Sequence, residues 1–356
     1  MFVPDFLPLT GNPPDPMTAL PDRSLSLPWR LATAAACLNL AYAILLQAYI
    51  VLASPFAERM REIYERPGML APTVAQMFAG AVLGGLVAWC TAQRWLARQG
   101  AGGVDRPGKM VAVLLAVLLV YNVLHSAALT LLQQGMFWLI TTYREWLDEN
   151  LGFYRDITRA LVMGVPLKLV GILLGGLGSW LAVRVAAWSV TPAVGAGARP
   201  YLARHAAWIA GATLLLWQVH VSLALGAFLQ MQTLSADLIQ YAFGYWVLPV
   251  VVMAAAVLAC RKAVPQALGA AGVGRAVAHG SFAFWMAQVL GVGLSILALR
   301  AMSWSQLARA SSSNSAAVFS LAVYIALLVL GCVIGARLFY RRRNAERDTL
   351  IDAGRV

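Results

Sequence analysis

The chain has 356 residues, of which 60% are hydrophobic and only 12% charged, and its mean hydropathy is +0.71. A soluble domain carries about a quarter charged residues, so this composition excludes an ordinary water-soluble protein and makes a bilayer the natural solvent. The formal net charge of +12 would suggest nucleic-acid binding in a soluble chain. Without a folded soluble part to carry the charge, lipid is the expected partner and nucleic acid is not.

Residues 1–29 are rich in proline and carry Asp5, Asp15 and Asp22, where a secretory signal would carry positive charge and an apolar run. They read as a disordered cytoplasmic tail. Eight apolar runs follow, near 30–53, 71–93, 110–138, 160–183, 205–231, 238–260, 276–299 and 315–338. Each is long enough to cross the hydrocarbon core, which takes roughly 20 apolar residues. Residues 30–340 are therefore expected to form an all-α integral membrane domain of eight transmembrane helices. Residues 341–356, opening with Arg341, Arg342 and Arg343, form a basic tail.

Direction follows from the basic residues, which favour the cytoplasmic side of short loops. With both termini inside, 18 of the 27 Lys and Arg fall on the inner side, among them Arg94, Arg184, Arg261 and Arg337. Attraction of that face to anionic lipid heads comes with the charge. The expected location is a bacterial inner membrane. Two outer connections, 55–66 and 141–158, have apolar residues such as Phe56, Met60, Trp146 and Phe153 among balanced charges. They read as amphipathic segments lying at the outer interface and as the surfaces on which membrane-protein partners would dock.

The clearest internal signal is a repeat. Gly80, Gly84, Gly85 and Trp89 in the second run match Gly171, Gly175, Gly176 and Trp180 in the fourth. Gly80 and Gly84, like Gly171 and Gly175, share a helix face and let another backbone come close. The odd runs repeat a mid-span amide: Asn39, Asn122, Gln218 and Gln288. Four helical hairpins, repeated in parallel, account for both patterns. Amides in hydrocarbon need partners, so the four are expected to face the bundle interior. On the third run Asn122, His125, Ser126 and Gln133 make one polar stripe by helical spacing.

Few residues offer chemistry. Lys168 is the one ionisable Asp, Glu, Lys or Arg placed well inside a run, where it either snorkels to the outer interface or serves as counter-charge to an anionic ligand or to Asp237. Zinc-protease, Walker and nucleophile-elbow motifs are missing, and nothing in the spacing asks for an enzyme. Cys37, Cys90, Cys260 and Cys332 lie on four different runs without a CxxC pair, so they read as buried, inert thiols rather than a metal site. His125 and His220 sit at similar depth and would suit axial haem ligation only if they converged; otherwise no cofactor is implied. The leading functional expectation is a channel, carrier or translocation subunit for a small or amphipathic substrate. The alternatives are a non-transporting scaffold subunit and a b-type haem electron carrier.

Overall fold

A computed structural model describes residues 26–65, 67–151, 165–193, 203–229, 243–264, 272–311 and 314–340. Eight helices are long and apolar enough to cross a membrane, and the chain is a multi-pass α-helical membrane protein. The spanning helices are α1 (Leu27–Leu52), α3 (Pro67–Gln99), α4 (Pro107–Thr142) and α6 (Val165–Trp188). The rest are α7 (Ala203–Leu229), α8 (Leu248–Ala263), α9 (Gly272–Ala301) and α11 (Asn314–Tyr340). Among the described residues, three short helices lie between them: α2 (Ala57–Tyr64), α5 (Arg144–Leu151) and α10 (Trp304–Ser311). Of the two expected interfacial segments, 55–66 contains α2 and 141–158 contains α5, with 152–158 outside the described residues. The helix α10 was not anticipated. Residues 1–25, with the aspartates of the first tail, and 341–356 also lie outside the described residues, while 27–29, expected in the disordered tail, already belong to α1.

Observed bounds differ from the apolar runs mainly because helices continue past the hydrocarbon. The third runs from 107 to 142 rather than 110 to 138, and the fourth continues to Trp188 rather than 183. The described part of the sixth opens on a π-helical turn, Phe243–Val247, before α8. Pro249 has no N–H to give the Tyr245 carbonyl in α register, which favours the wider turn.

The spans form two four-helix bundles. In the first, α1 packs on α3, α4 on α6, α1 on α4 and α3 on α6. In the second, α7 packs on α8, α9 on α11, α7 on α9 and α8 on α11. The packing order is the same in both. Small residues one turn apart let the helices close up: Ala88 and Ala92 on α3, Ala182 and Ala186 on α6, Ala206 and Ala210 on α7, Ala283 and Ala287 on α9, all buried. Large side chains such as Leu45, Phe78, Leu173 and Val289 are exposed on the outside, as lipid contact requires.

The bundles meet mainly through α3 and α7. Along one half of this seam Ala71, Ala75 and Ala79 pack with Leu215, Val219, Leu223 and Tyr245. The indole N–H of Trp246 donates to the carbonyl of Ala71 at 3.2 Å. Among the described residues, the departure from helix is a two-residue antiparallel bridge, β1 (Gly103–Val104) with β2 (Pro192–Ala193). It ties the α3–α4 connection to the segment after α6. Asp105 reinforces it, accepting from the Thr191 N–H at 3.1 Å. That hydrogen bond holds the exposed Asp105 carboxyl below the usual aspartate range.

Candidate functional site

Each bundle has a polar centre built from the amides of its odd spans. In the first, the Asn122 amide on α4 donates to the Asn39 side-chain oxygen on α1 at 2.9 Å. Gly84 on α3 makes room for this pair, because a Cβ there would collide with the Asn39 amide nitrogen. The same imaginary Cβ would lie 3.2 Å from the hydroxyl of Ser179 on α6. Ser179 is fully buried, and its hydroxyl has no hydrogen-bond partner among the described residues. Residues of α1 and α6 therefore meet α3 at Gly84, and α4 joins them through Asn122. One turn further along α4, Ser126 accepts from the Tyr42 hydroxyl at 3.0 Å.

In the second bundle the two amides are joined through an aromatic hydroxyl. Gln288 on α9 donates to the Tyr324 hydroxyl at 2.9 Å, and Tyr324 on α11 donates to the Gln218 side-chain oxygen on α7 at 2.7 Å. The chain ends on Ser222, which accepts from the Gln218 amide at 3.2 Å. A single hydroxyl thus serves as acceptor and donor at once and stitches three helices.

The other sequence-selected residues are dispersed. Gly175 faces only the Leu83 side chain at 3.6 Å, while Gly80 and Gly171 meet nothing within 4 Å. The close approach falls at Gly84, nearer the Arg94 end of α3, rather than along the whole glycine face. Lys168 donates to the Gln76 side-chain oxygen at 3.4 Å, which ties it to α3; Asp237 lies outside the described residues. His125 packs beside Tyr121 with ring centroids 5.9 Å apart, and its buried Nε2 has no partner among the described residues. His220 lies in the other bundle and donates from Nδ1 to the Leu216 carbonyl at 2.7 Å. Their helices, α4 and α7, are not packing partners. Gln133 is exposed.

Tyr324, Tyr42 and Ser179 were not singled out by sequence. A phenol in the middle of an apolar run is a usable signal, since its hydroxyl needs a partner in hydrocarbon.

The other half of the seam between the bundles is not closed. Where the alanine stripe ends, a groove of about 350 Å³ opens between α1, α3, α7 and α8. Ala81, Val82, Ala212 and Met253 line it toward the middle of the membrane, and Trp29, Trp89, His205 and Trp208 toward the end that carries Arg94. The aromatic rings are layered there: Trp29 lies 5.9 Å from Trp89, and Trp89 lies 5.3 Å from His205, centroid to centroid. The lining is almost wholly apolar. Such a surface binds by excluding water from hydrocarbon rather than by directed hydrogen bonds.

No family model matches the chain, and neither a curated protein nor a solved structure matches it.

Proposed function

We propose that the chain is a carrier or translocation subunit that takes an amphipathic, lipid-like molecule into the groove between its two bundles. The groove carries this reading. It has the size of a small ligand pocket, a class that starts at about 300 Å³, and an apolar length suited to an alkyl chain. Each methylene withdrawn from water contributes about 0.8 kcal/mol. At its mouth, Trp and His rings offer the mixed apolar and polar contact that a headgroup region favours. Arg30 and Arg204, adjacent in sequence to Trp29 and His205, make an anionic headgroup the better match.

The rest of the molecule fits a device with two rigid halves. The shared packing order supports duplication of helical hairpins, and the two amide centres fix register within each half. Interhelical hydrogen bonds in a bilayer contribute only about 0.6–2 kcal/mol each, enough to select one arrangement. In this reading the basic end faces the cytoplasm of a bacterial inner membrane. A scaffold role, resting on α2 and α5, leaves the groove without a purpose. A haem role needs His125 and His220 together, and their helices belong to different bundles.

The test is cross-linking in nanodiscs that contain a lipid with a photoreactive alkyl chain. Adducts are expected at Ala81, Val82, Ala212 and Met253. Adducts spread evenly over outward residues such as Leu45, Phe78 and Leu173 would overturn the proposal.

A further inference from the structure

Three residues far apart in sequence meet at the Arg261 end of the second bundle. Cys260 lies in the last turn of α8, His279 lies early in α9, and Cys332 lies on α11. All three are buried, and their ligand atoms lie within 4.8 Å of one another. The Cys260 Sγ is 4.0 Å from His279 Nδ1 and 3.8 Å from Nε2. We propose that Cys260, His279 and Cys332 bind a zinc ion that clasps α8, α9 and α11 together.

The hydrogen bonding assigns the ligand nitrogen. His279 Nε2 lies 2.7 Å from the Cys332 carbonyl oxygen, which can only accept, so Nε2 carries the proton. Nδ1 then keeps its lone pair for the ion, which would draw Cys260 Sγ, now about equidistant from the two ring nitrogens, toward Nδ1. Metal-bound histidines usually donate their second N–H to a carbonyl or carboxylate in this way, which fixes ring orientation. Tetrahedral zinc, with Zn–S about 2.3 Å and Zn–N about 2.0 Å, sets its ligands roughly 3.5–3.8 Å apart. The trio, whose ligand atoms lie up to 4.8 Å apart, closes by about 1 Å to reach that spacing.

Two further observations point to a built site. Gly335 leaves the space that the imidazole occupies: a Cβ there would stand 3.1 Å from His279 Nε2. Tyr340 packs edge-on against His279, centroids 5.7 Å apart. Its hydroxyl is buried and has no hydrogen-bond partner among the described residues. That hydroxyl, or a zinc-bound water held by it, supplies the fourth position.

Charge decides between metals. Two thiolates and Zn²⁺ sum to zero, which suits a site buried among apolar helices, where uncompensated charge is costly. Soft thiolates also favour Cu(I), but that ion leaves the same ligand set with net negative charge. The two thiol protons leave to solvent as zinc binds.

The experiment uses the full chain, purified from membranes without a metal-affinity step. Elemental analysis is expected to find stoichiometric zinc, lost in Cys260→Ser and Cys332→Ser and retained in Cys37→Ser and Cys90→Ser. Chelator-stripped wild type refilled with cobalt(II) is expected to show thiolate-to-cobalt charge-transfer absorption, a readout that does not depend on a variant folding. Zinc retained in both serine variants, cobalt bound without the thiolate band, copper in place of zinc, or a Cys260–Cys332 disulfide in the purified protein would each overturn the assignment.

Discussion

The amide of Asn122 reaches Asn39 at 2.9 Å because the residue facing them, Gly84, has no side chain. The glycine repeat and the amide series are thus one feature at this point: the missing Cβ is the space that the Asn39 amide group occupies.

Replacing Gly84 with Ala is therefore expected to push Asn39 out of its bond and to overpack the centre of the first bundle. Overpacking costs typically about 1–3 kcal/mol. Gly80→Ala is the paired control, since nothing lies within 4 Å of its Cβ position, and there the better helix propensity of Ala is worth up to about 1 kcal/mol. Thermal unfolding in detergent should show Tm falling for the first variant and holding or rising for the second. Equal changes would remove the special role of Gly84.

Tyr324→Phe deletes two hydrogen bonds with one atom. It strands the Gln218 side-chain oxygen and removes the acceptor for Gln288, and a stranded buried polar group costs about 1–3 kcal/mol. Tyr42→Phe removes a single bond to Ser126, a net loss of about 0.5–1.5 kcal/mol. Tyr324→Phe should be the more destabilised in the same assay.

Ala212→Trp is expected to fill the groove from α7 without touching either polar centre. Denying space to two methylenes removes about 1.6 kcal/mol of binding, more than a tenfold loss of affinity. Photo-adducts at Ala81 and Met253 should fall by that factor while Tm changes little. Undiminished adducts would place the lipid elsewhere.

Gly103 and Ala193 are register partners in the β1–β2 bridge, so cysteines introduced at either position must react from one side of the membrane. With the basic end in the cytoplasm, that side is opposite to the side where cysteines at Glu62 and Asn150 react. An impermeant thiol reagent applied to intact cells and to inverted vesicles separates the two sets. Reaction of all four from the same side defeats the topology.

The bridge also carries a pH dependence. The Asp105 carboxyl is held low by the Thr191 N–H, so its contribution is present above the unfolded aspartate value of about 3.9 and is lost as pH falls through the lower, folded value. Amide exchange at Thr191, corrected for its intrinsic pH dependence, should accelerate on acidification in that range. In Asp105→Asn the pH-dependent step should disappear.

The spans were legible in the sequence because run length is a direct image of bilayer thickness, and the eight runs and the eight helices agree within a few residues at most ends. The neighbours of each span were not legible. The glycine faces of the second and fourth runs look alike, yet Gly84 shelters Asn39 while Gly175 meets only Leu83, a difference set by which helix lies opposite. The thiols show the same limit. Without a CxxC pair Cys260 and Cys332 read as isolated, and only the packing of α8, α9 and α11 brings them together with His279. The groove left no mark in sequence, since alanine and tryptophan serve equally well inside a core and along a slot.

The seam between the bundles is shut by the methyl groups of Ala71, Ala75 and Ala79 along one half and open along the other. If the groove serves as proposed, a lipid chain enters it sideways from the leaflet on the Arg94 side, toward which Trp29, Trp89, His205 and Trp208 line it. On the proposed reading, leaflet selectivity is set by where the packed half of the seam ends, near Ala79 on α3.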